Sequence, residues 1–300
     1  MLSIPLFIYT ETSLHAGVGS TVSAIDLPIQ RERTTQFPIV QGSGIKGALR
    51  SQAKQGESVL KAVFGDIYEV EEVDENGKKQ KKQVSFAGAV SVGDARIVLF
   101  PVRSLSGVFA YATCAAVLAR VARDVEGFPS LSSSVVGENA LVTSGSALSV
   151  TGRAVLEEFS FECTSDKSVD AIAKWLAENA FPTDQAYEYW RKKVQNSLIV
   201  LSDESFRDFV QNSTEIVTRV RLERVKKTVA QGALWTQEAL PSDCLLMSAI
   251  LARSTRDGSN GSDEEVANWL RDAENVPQRI QLGGDETTGS GMVALRWAGA

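Results

Sequence analysis

Short runs of β-branched and aromatic residues alternate along the chain with segments of helical periodicity. Strands are predicted where such residues cluster, in LFIYTET (6–12), VSFAGAVSVGDARIVLFPV (84–102) and AVLEEFSFECT (154–164). Helices are predicted where apolar residues recur every three or four positions, in GVFAYATCAAVLARVARDVE (107–126), SVDAIAKWLAENA (168–180) and SDEEVANWLRDAE (262–274). Adjacent strand pairs with a few interleaved helices indicate an α+β fold with an antiparallel sheet.

Three further segments have patterns of their own. GSGIKGALRSQAK (42–54) predicts a helix with Ser43 as a possible N-cap. Residues 214–240 predict two strands around a basic turn, and RIQLGGDETTGSGMVALRW (279–297) predicts two strands around a glycine-rich loop. The charged stretch at about 66–83, with a turn signal at Asn76-Gly77, predicts an exposed insertion. No linker or repeat divides residues 1–300, so a single domain is expected.

Composition limits the classes of function. The chain has 300 residues, 43% of them hydrophobic, and a net charge of -6, so any site for a polyanion must be local. Its three cysteines are far apart and form no CxxC pair, which indicates neither a zinc site nor a disulfide framework. The start MLSIPLFIYT lacks a basic region and a cleavage site, and no stretch has the length of a membrane span. A cytoplasmic protein without a membrane partner is therefore expected.

Common catalytic motifs are missing from the sequence. It has no GK[ST] loop, no HExxH and no GxSxG, which counts against a nucleotide-handling enzyme, a preformed metal cage and a covalent nucleophile. Two interpretations of GGDETTGSG (283–291) stay open: a flexible hairpin connection, or a backbone cradle for a phosphodiester. His15, the single histidine, is by itself either structural or catalytic.

Several motifs in a fixed order carry a resemblance to a known family. LHAGVGS (14–20), DLPIQRER (26–33), FPIVQGSGIKGALR (37–50), GALWTQEALP (232–241) and LGGDETTGSGMV (282–293) resemble the RAMP superfamily of CRISPR-associated proteins. The most specific of them, DLPIQRER, is similar to the backbone subunits of the type III-B (Cmr) effector complex. These motifs lie at both ends of the chain, and the middle agrees in length and pattern.

This resemblance implies a fold and a function. Members of the family have a ferredoxin-like, RRM-type palm and a protruding β-hairpin thumb, here expected at about 213–241. Copies stack head to tail along a CRISPR guide RNA, beside other Cmr subunits, and each copy cuts the paired target RNA once. The implied partners are therefore guide RNA, target RNA, further copies of the chain and other subunits. Two alternatives remain: a backbone that binds RNA without cutting it, and an unrelated nucleotide-handling enzyme.

The resemblance also assigns residues. It implies catalytic roles for Asp26, His15, Lys46 and Glu238, although Gln237 is an alternative to Glu238. A divalent ion, Mg²⁺ or Mn²⁺, would be held weakly by Asp26 and partly by RNA. The cations and the small residues of the motifs are expected to contact RNA. These predicted contacts are Arg31, Arg33, Ser43, Lys46, Arg50, Arg219, Arg221, Arg224, Lys226, Lys227, Gly283, Gly284, Thr287, Thr288, Gly289 and Gly291.

Overall fold

The computed structural model describes residues 1–20, 24–73, 79–135, 137–223 and 228–298. Its strands are β1 Leu2–Ser3, β2 Leu6–Thr10, β3 Ile39–Val40, β4 Gly65–Val73, β5 Lys79–Ala87, β6 Val90–Val92, β7 Ala95–Arg103, β8 Phe109–Cys114, β9 Asn139–Val142, β10 Arg153–Leu156, β11 Phe159–Ser165, β12 Leu198–Leu201, β13 Glu215–Leu222, β14 Val229–Ala239, β15 Leu245–Ser248, β16 Ile250–Ala252, β17 Arg279–Gln281 and β18 Met292–Trp297. Its α-helices are α1 Gly42–Gln52, α2 Glu57–Phe64, α3 Ala115–Asp124, α4 Lys167–Asn179, α5 Glu188–Ser197, α6 Asp203–Asn212 and α7 Asp263–Arg271.

Most of the strands join one large sheet. Within the described residues it has eleven strands in the order β10-β11-β9-β12-β8-β7-β15-β2-β18-β17, with β3 paired to β7. The pairs β11–β9 and β12–β8 are parallel, and the other pairs are antiparallel. The prediction of an antiparallel sheet is therefore corrected to a mixed one. The two parallel pairs differ in their connections, because the chain between β8 and β12 includes α3, α4 and α5, whereas β9 and β11 are joined through the strand β10.

The central strand β2 is buried on both faces. Leu6 and Ile8 belong to one hydrophobic cluster, whereas Phe7 and Tyr9 belong to the other. Successive side chains of a strand point to opposite faces, so this division shows that the sheet separates two apolar layers. The uninterrupted apolar run LFIY at the start of the chain follows from this burial.

The helix predicted over 107–126 is wrong in its first half. Phe109–Cys114 form β8, between β7 and β12, and the helix α3 begins only at Ala115. Residues 110–114 are all buried, as expected for a strand inside a sheet with two covered faces. The spacing of apolar residues on both sides of Cys114 is compatible with either a strand or a helix. The pairing of residues 109–114 with β7 and β12 determines that this segment is a strand.

Two hairpins stand apart from the large sheet, because β4–β5 and β13–β14 each form a two-stranded sheet of their own. The first spans the predicted insertion at 66–83, and the second spans the predicted thumb at 213–241. The turn residues Asn76 and Gly77, and the cations Arg224, Lys226 and Lys227, lie outside the described residues. Among the helices of the described ranges, none is long and apolar enough to cross a membrane.

The prediction that Ser43 caps α1 is also wrong. The N-cap is Gln41, and Ser43 is an exposed residue of the first turn. The amide of Gly42 donates instead to the carboxylate of Asp94, at 2.8 Å. A Cβ at Gly42 would lie 2.2 Å from the carbonyl oxygen of Val92, so close packing explains the glycine at this position.

Candidate functional site

Three consecutive residues at the end of β14 gather the motifs at the two ends of the chain. Thr236 and Glu238 form hydrogen bonds with the DLPIQRER segment, and Gln237 forms one with the glycine-rich loop. The backbone is joined as well: Leu27 N–H donates to the Thr236 carbonyl at 3.1 Å, and Glu238 N–H donates to the Leu27 carbonyl at 3.0 Å. The segment around Leu27 therefore lies along β14 as a short parallel addition.

Asp26 is exposed, and Thr236 holds it from one side. Its Oδ2 accepts from the Thr236 amide at 2.7 Å and from the Thr236 hydroxyl at 2.9 Å. Its own amide donates to the same hydroxyl oxygen at 3.0 Å. The Thr236 amide, and then its hydroxyl, hold the pKa of the Asp26 carboxyl below the usual value. Asp26 is therefore a carboxylate at neutral pH, and its Oδ1 makes no hydrogen bond within the described residues.

His15 lies on the loop after β2 and is oriented by the same strand. Its Nδ1 is 2.6 Å from the carbonyl oxygen of Glu238. A carbonyl only accepts, so Nδ1 carries the proton, and in neutral His15 the Nε2 atom is the free acceptor. A Cβ at Gly17 would lie 2.5 Å from Nε2, so the glycine of LHAGVGS makes room for the imidazole ring.

Glu238 itself is buried, and its carboxylate has three partners. It forms an ion pair with Arg31 at 2.5 Å, and it accepts from the Ile29 amide at 3.0 Å and from the Thr214 hydroxyl at 2.9 Å. Arg31 also donates to two backbone carbonyls, those of Gln36 and Val210. Buried charges with hydrogen-bond partners stabilise local structure, so the contacts of this pair indicate a structural role. The catalytic role of Glu238 and the RNA contact of Arg31 stay predictions.

The glycine-rich loop packs directly on the His15 loop. The Gly284 amide donates to the His15 carbonyl at 3.0 Å, and the Gly291 amide donates to the Ser13 carbonyl at 2.8 Å. Asp285 accepts from the Gln237 side chain, and Arg219 lies 3.5 Å from the same carboxylate. The loop is therefore an ordered part of the site, and three of its glycines, Gly283, Gly289 and Gly291, have positive φ angles.

Lys46 extends from α1 without a partner. It is half-buried, and it forms no hydrogen bond or ion pair with any described residue. Burial, and then the nearby charge of Arg50, lower the pKa of the Lys46 amine. Arg50 is itself occupied, because it donates to the Gly65 carbonyl at 2.7 Å.

Gln30 connects α1 to the His15 loop. Its side chain donates to the Gly17 carbonyl at 3.0 Å and accepts from the Gln41 amide at 2.7 Å. The start of α1 is thus tied to the loops that carry His15 and Asp26, although no hydrogen bond joins Lys46 to Asp26 in the described part of the chain.

The residues present do not fit a protein-held metal ion. Among the described residues, no group of three or more His, Cys, Asp or Glu side chains is arranged to bind one. Asp26 is a single carboxylate, so an ion at this position would be held by Asp26 together with water and RNA phosphates, as Mg²⁺ is in sites that have one or two carboxylates. The weakly held ion at Asp26 stays a prediction.

Comparison with known proteins identifies the family. A sequence profile of the RAMP superfamily matches residues 7–294. The CRISPR system Cmr endoribonuclease Cmr4 of Pyrococcus furiosus is 35% identical over 293 residues, which cover 96% of this chain and 93% of the relative. The chain belongs to the RAMP superfamily, in its Cmr4 family. A second relative, the CRISPR system CMR subunit Cmr4 of Saccharolobus solfataricus, is 29% identical. The alignment covers 98% of this RAMP chain and 96% of the relative.

Solved structures agree with this RAMP assignment. Oligomeric Cmr4 from Pyrococcus furiosus matches with a TM-score of 0.72 at 29% identity, covering 99% of this chain and 98% of the other. A chain of the type III-B Cmr-beta complex bound to cognate target RNA matches with a TM-score of 0.69 at 25% identity, covering 99% and 97%. The mixed α and β content and the large sheet described above are thus the RAMP fold.

The structure of this RAMP protein sorts the predicted site residues into groups. Asp26, His15 and the loop 283–291 meet around the end of β14. Arg33 and Arg221 are exposed cations, and Thr287 and Thr288 lie on the exposed part of the glycine-rich loop. Arg31, Arg50 and Arg219 are engaged in contacts with the protein.

Sequence reasoning missed three residues of the site: Thr236, Gln30 and Asp285. Each is a common polar residue whose partner lies far away in the sequence or in a different loop. The available signal was that all three lie inside quoted motifs, Thr236 in GALWTQEALP, Gln30 in DLPIQRER and Asp285 in LGGDETTGSGMV.

Proposed function

We propose that this chain is a repeated backbone subunit of a type III-B CRISPR effector complex, and that it binds guide RNA and cuts the paired target RNA. The observation that carries the proposal is the exposed Asp26 carboxylate, which is fixed through one oxygen while the other is open. A relative with 35% identity is named an endoribonuclease, and a structural relative is bound to cognate target RNA. Further copies of the chain and other Cmr subunits are the proposed protein partners, in the cytoplasm.

The fold supplies parts for both tasks. We assign the ferredoxin-like palm to the central strands β2, β15 and β18 with α1, and the thumb to the β13–β14 hairpin. Hydrogen bonds of Thr236, Gln237 and Glu238 join the base of the thumb to the palm. The hairpin and the loops that carry Asp26 and His15 therefore form one surface. Exposed Arg33 and Arg221 would contact phosphates on that surface. The missing side chains of the glycine-rich loop suit the close approach of a phosphodiester backbone.

Cleavage of RNA needs the 2′-hydroxyl in line with its own phosphate and a positive charge for the phosphoryl oxygens. The Asp26 Oδ1 atom is free to accept a hydrogen bond from that hydroxyl. The lowered pKa of Asp26 makes it a weak base, so its main contribution is to orient the hydroxyl. The Nδ1 atom of His15 donates to the Glu238 carbonyl, so Nε2 is the ring atom that could contact the RNA. The Lys46 amine, which has no hydrogen bond or ion pair with a described residue, would neutralise the charge on the phosphate.

A cleavage assay on the assembled complex tests the proposal. We expect Asp26→Asn to bind guide RNA and to assemble normally, as judged by gel filtration, and to lose target cleavage. The assay is run with and without Mg²⁺, because an ion held mainly by RNA would appear as an activity requirement without a binding site in the free protein.

The runner-up is a backbone that binds RNA but does not cut it. Cleavage by the Asn variant at the wild-type rate would overturn the assignment of Asp26. A wild-type complex that binds target RNA and leaves it intact would establish the runner-up.

A further inference from the structure

We propose that Thr236 is a positioning residue for target cleavage, acting through Asp26. This inference rests on the proposed function of Asp26 and adds to it the group that sets the direction of the carboxylate. Asp26 is exposed on a loop, so packing alone does not fix its side chain. The hydrogen bonds of Thr236 do.

Asp26 and Thr236 are joined by three hydrogen bonds. The Thr236 hydroxyl donates to Asp26 Oδ2 at 2.9 Å and accepts from the Asp26 amide at 3.0 Å. The Thr236 amide donates to the same Oδ2 at 2.7 Å. One hydroxyl thus binds both the side chain and the backbone of Asp26, which fixes the rotamer as well as the position of the loop.

The consequence falls on the other carboxylate oxygen. With Oδ2 occupied by two donors, Oδ1 is left as the oxygen that faces RNA, and its direction is set by the rigid strand β14. Hydrogen bonds to a carboxylate are stronger than neutral ones, so the arrangement persists on an exposed surface. Without the hydroxyl, the carboxylate would keep one hydrogen bond and would rotate about it.

The test is a pair of substitutions at Thr236 with a matched control. Thr236→Val keeps the branched shape that suits a strand and removes only the hydroxyl, whereas Thr236→Ser keeps the hydroxyl. Thr218 lies directly opposite Thr236 across the hairpin and makes no contact with Asp26, so Thr218→Val imposes the same chemical change without the proposed effect.

The measurement is single-turnover cleavage of target RNA by the assembled complex, with guide affinity determined in parallel. We expect Thr236→Val to cut roughly 10- to 100-fold more slowly, since small misplacements of a catalytic group have effects of that size. Guide affinity should not change, Thr236→Ser should recover most of the rate, and Thr218→Val should cut like the wild type.

Two outcomes would overturn the inference. Normal cleavage by Thr236→Val, with Asp26→Asn inactive, would show that Asp26 needs no positioning by the hydroxyl. Equal loss of guide affinity and cleavage, or equal loss in Thr218→Val, would show a structural effect of the hairpin. Normal cleavage by Asp26→Asn is a different result, because it would remove the proposed function of Asp26 itself.

Discussion

Glu238 and Arg31 are separated by 207 positions in the sequence and form a buried ion pair in the fold. Their side chains are 4% and 14% exposed. The pair joins the end of β14 to the DLPIQRER segment, just behind exposed Asp26. Its position explains why that segment combines the exposed Asp26 and Arg33 with an arginine whose charge is directed into the protein.

Replacing Glu238 by Gln should destabilise the protein. Arg31 would lose its counter-ion while still buried, and the removal of one partner from such a pair costs about 3–5 kcal/mol. The free energy of unfolding, measured by urea denaturation, checks this. Glu157→Gln is the control, because the pair of Glu157 with Arg103 has an arginine side chain that is 74% exposed and should contribute less than about 1 kcal/mol. A Glu238→Gln variant with wild-type stability and no cleavage would instead indicate a chemical role for Glu238.

Replacing Arg221 by Gln should weaken RNA binding in a salt-dependent manner. Arg221 is exposed on β13, and a contact with phosphate would release counter-ions. The slope of log affinity against log salt should fall by about 1, so the loss of affinity is larger at low salt. Lys174 is exposed on α4, and Lys174→Gln changes the charge by the same amount, so it is the control and should leave the slope unchanged. Parallel salt dependences for the wild type and Arg221→Gln would place this residue away from RNA.

Two glycines of the 283–291 loop should respond differently to alanine. Gly291 has a positive φ, and a Cβ there would lie 2.0 Å from the Leu282 carbonyl oxygen, so Gly291→Ala should lower the melting temperature. A Cβ at Gly284 meets only the His15 ring at 3.5 Å, so Gly284→Ala should fold normally. If the loop cradles RNA, Gly284→Ala lowers guide affinity for every sequence at an unchanged melting temperature. Normal affinity in that variant would leave the loop as a connection between β17 and β18.

The charge of Lys46 should be visible in the pH dependence of cleavage. Its pKa is lowered by burial and by Arg50, so the amine loses its proton at a lower pH than an ordinary lysine does. Cleavage should therefore decline as the solution becomes alkaline, whereas Lys46→Arg, which stays charged, should keep its rate. Lys46→Met should cut roughly 100-fold more slowly at neutral pH, as expected when a group that stabilises transition-state charge is removed. Lys54→Met, just beyond α1, is the control, and an identical loss in both variants would contradict the assignment.

The elements that could be predicted from the sequence were those with a clear periodicity or capping motif of their own. Helices α4 and α7 have clear periodicity, and α7 begins with a capping box between Ser262 and Glu265. Helices α5 and α6 were not predicted, because α5 is largely polar and α6 has three buried residues, Phe206, Phe209 and Val210, within a polar segment. The strand β8 was taken for a helix because only its pairing with β7 and β12 distinguishes the two.

The residues of the site also divide into those that the sequence could identify and those that it could not. Asp26 and His15 lie in motifs that the family resemblance could find, and the structure brings both to β14. Thr236 was out of reach, because its contact with Asp26 spans 210 positions and a threonine in a strand has no signature of such a partner. Glu238 was identified as an important position, but its burial, and therefore its chemistry, became visible only in the fold.

The three residues Thr236, Gln237 and Glu238 join several loops to the end of β14, so we expect this strand end to open as one unit. The amides of Leu27 and Glu238 take part in the hydrogen bonds between β14 and the Leu27 segment, so they should exchange with solvent together. Loss of this strand end would release the Asp26 loop, the His15 ring and the glycine-rich loop in one event. Under the proposed function, a copy opened in this way would lose its RNA contacts and the placement of Asp26 at the same moment, so partial opening would give an inactive subunit.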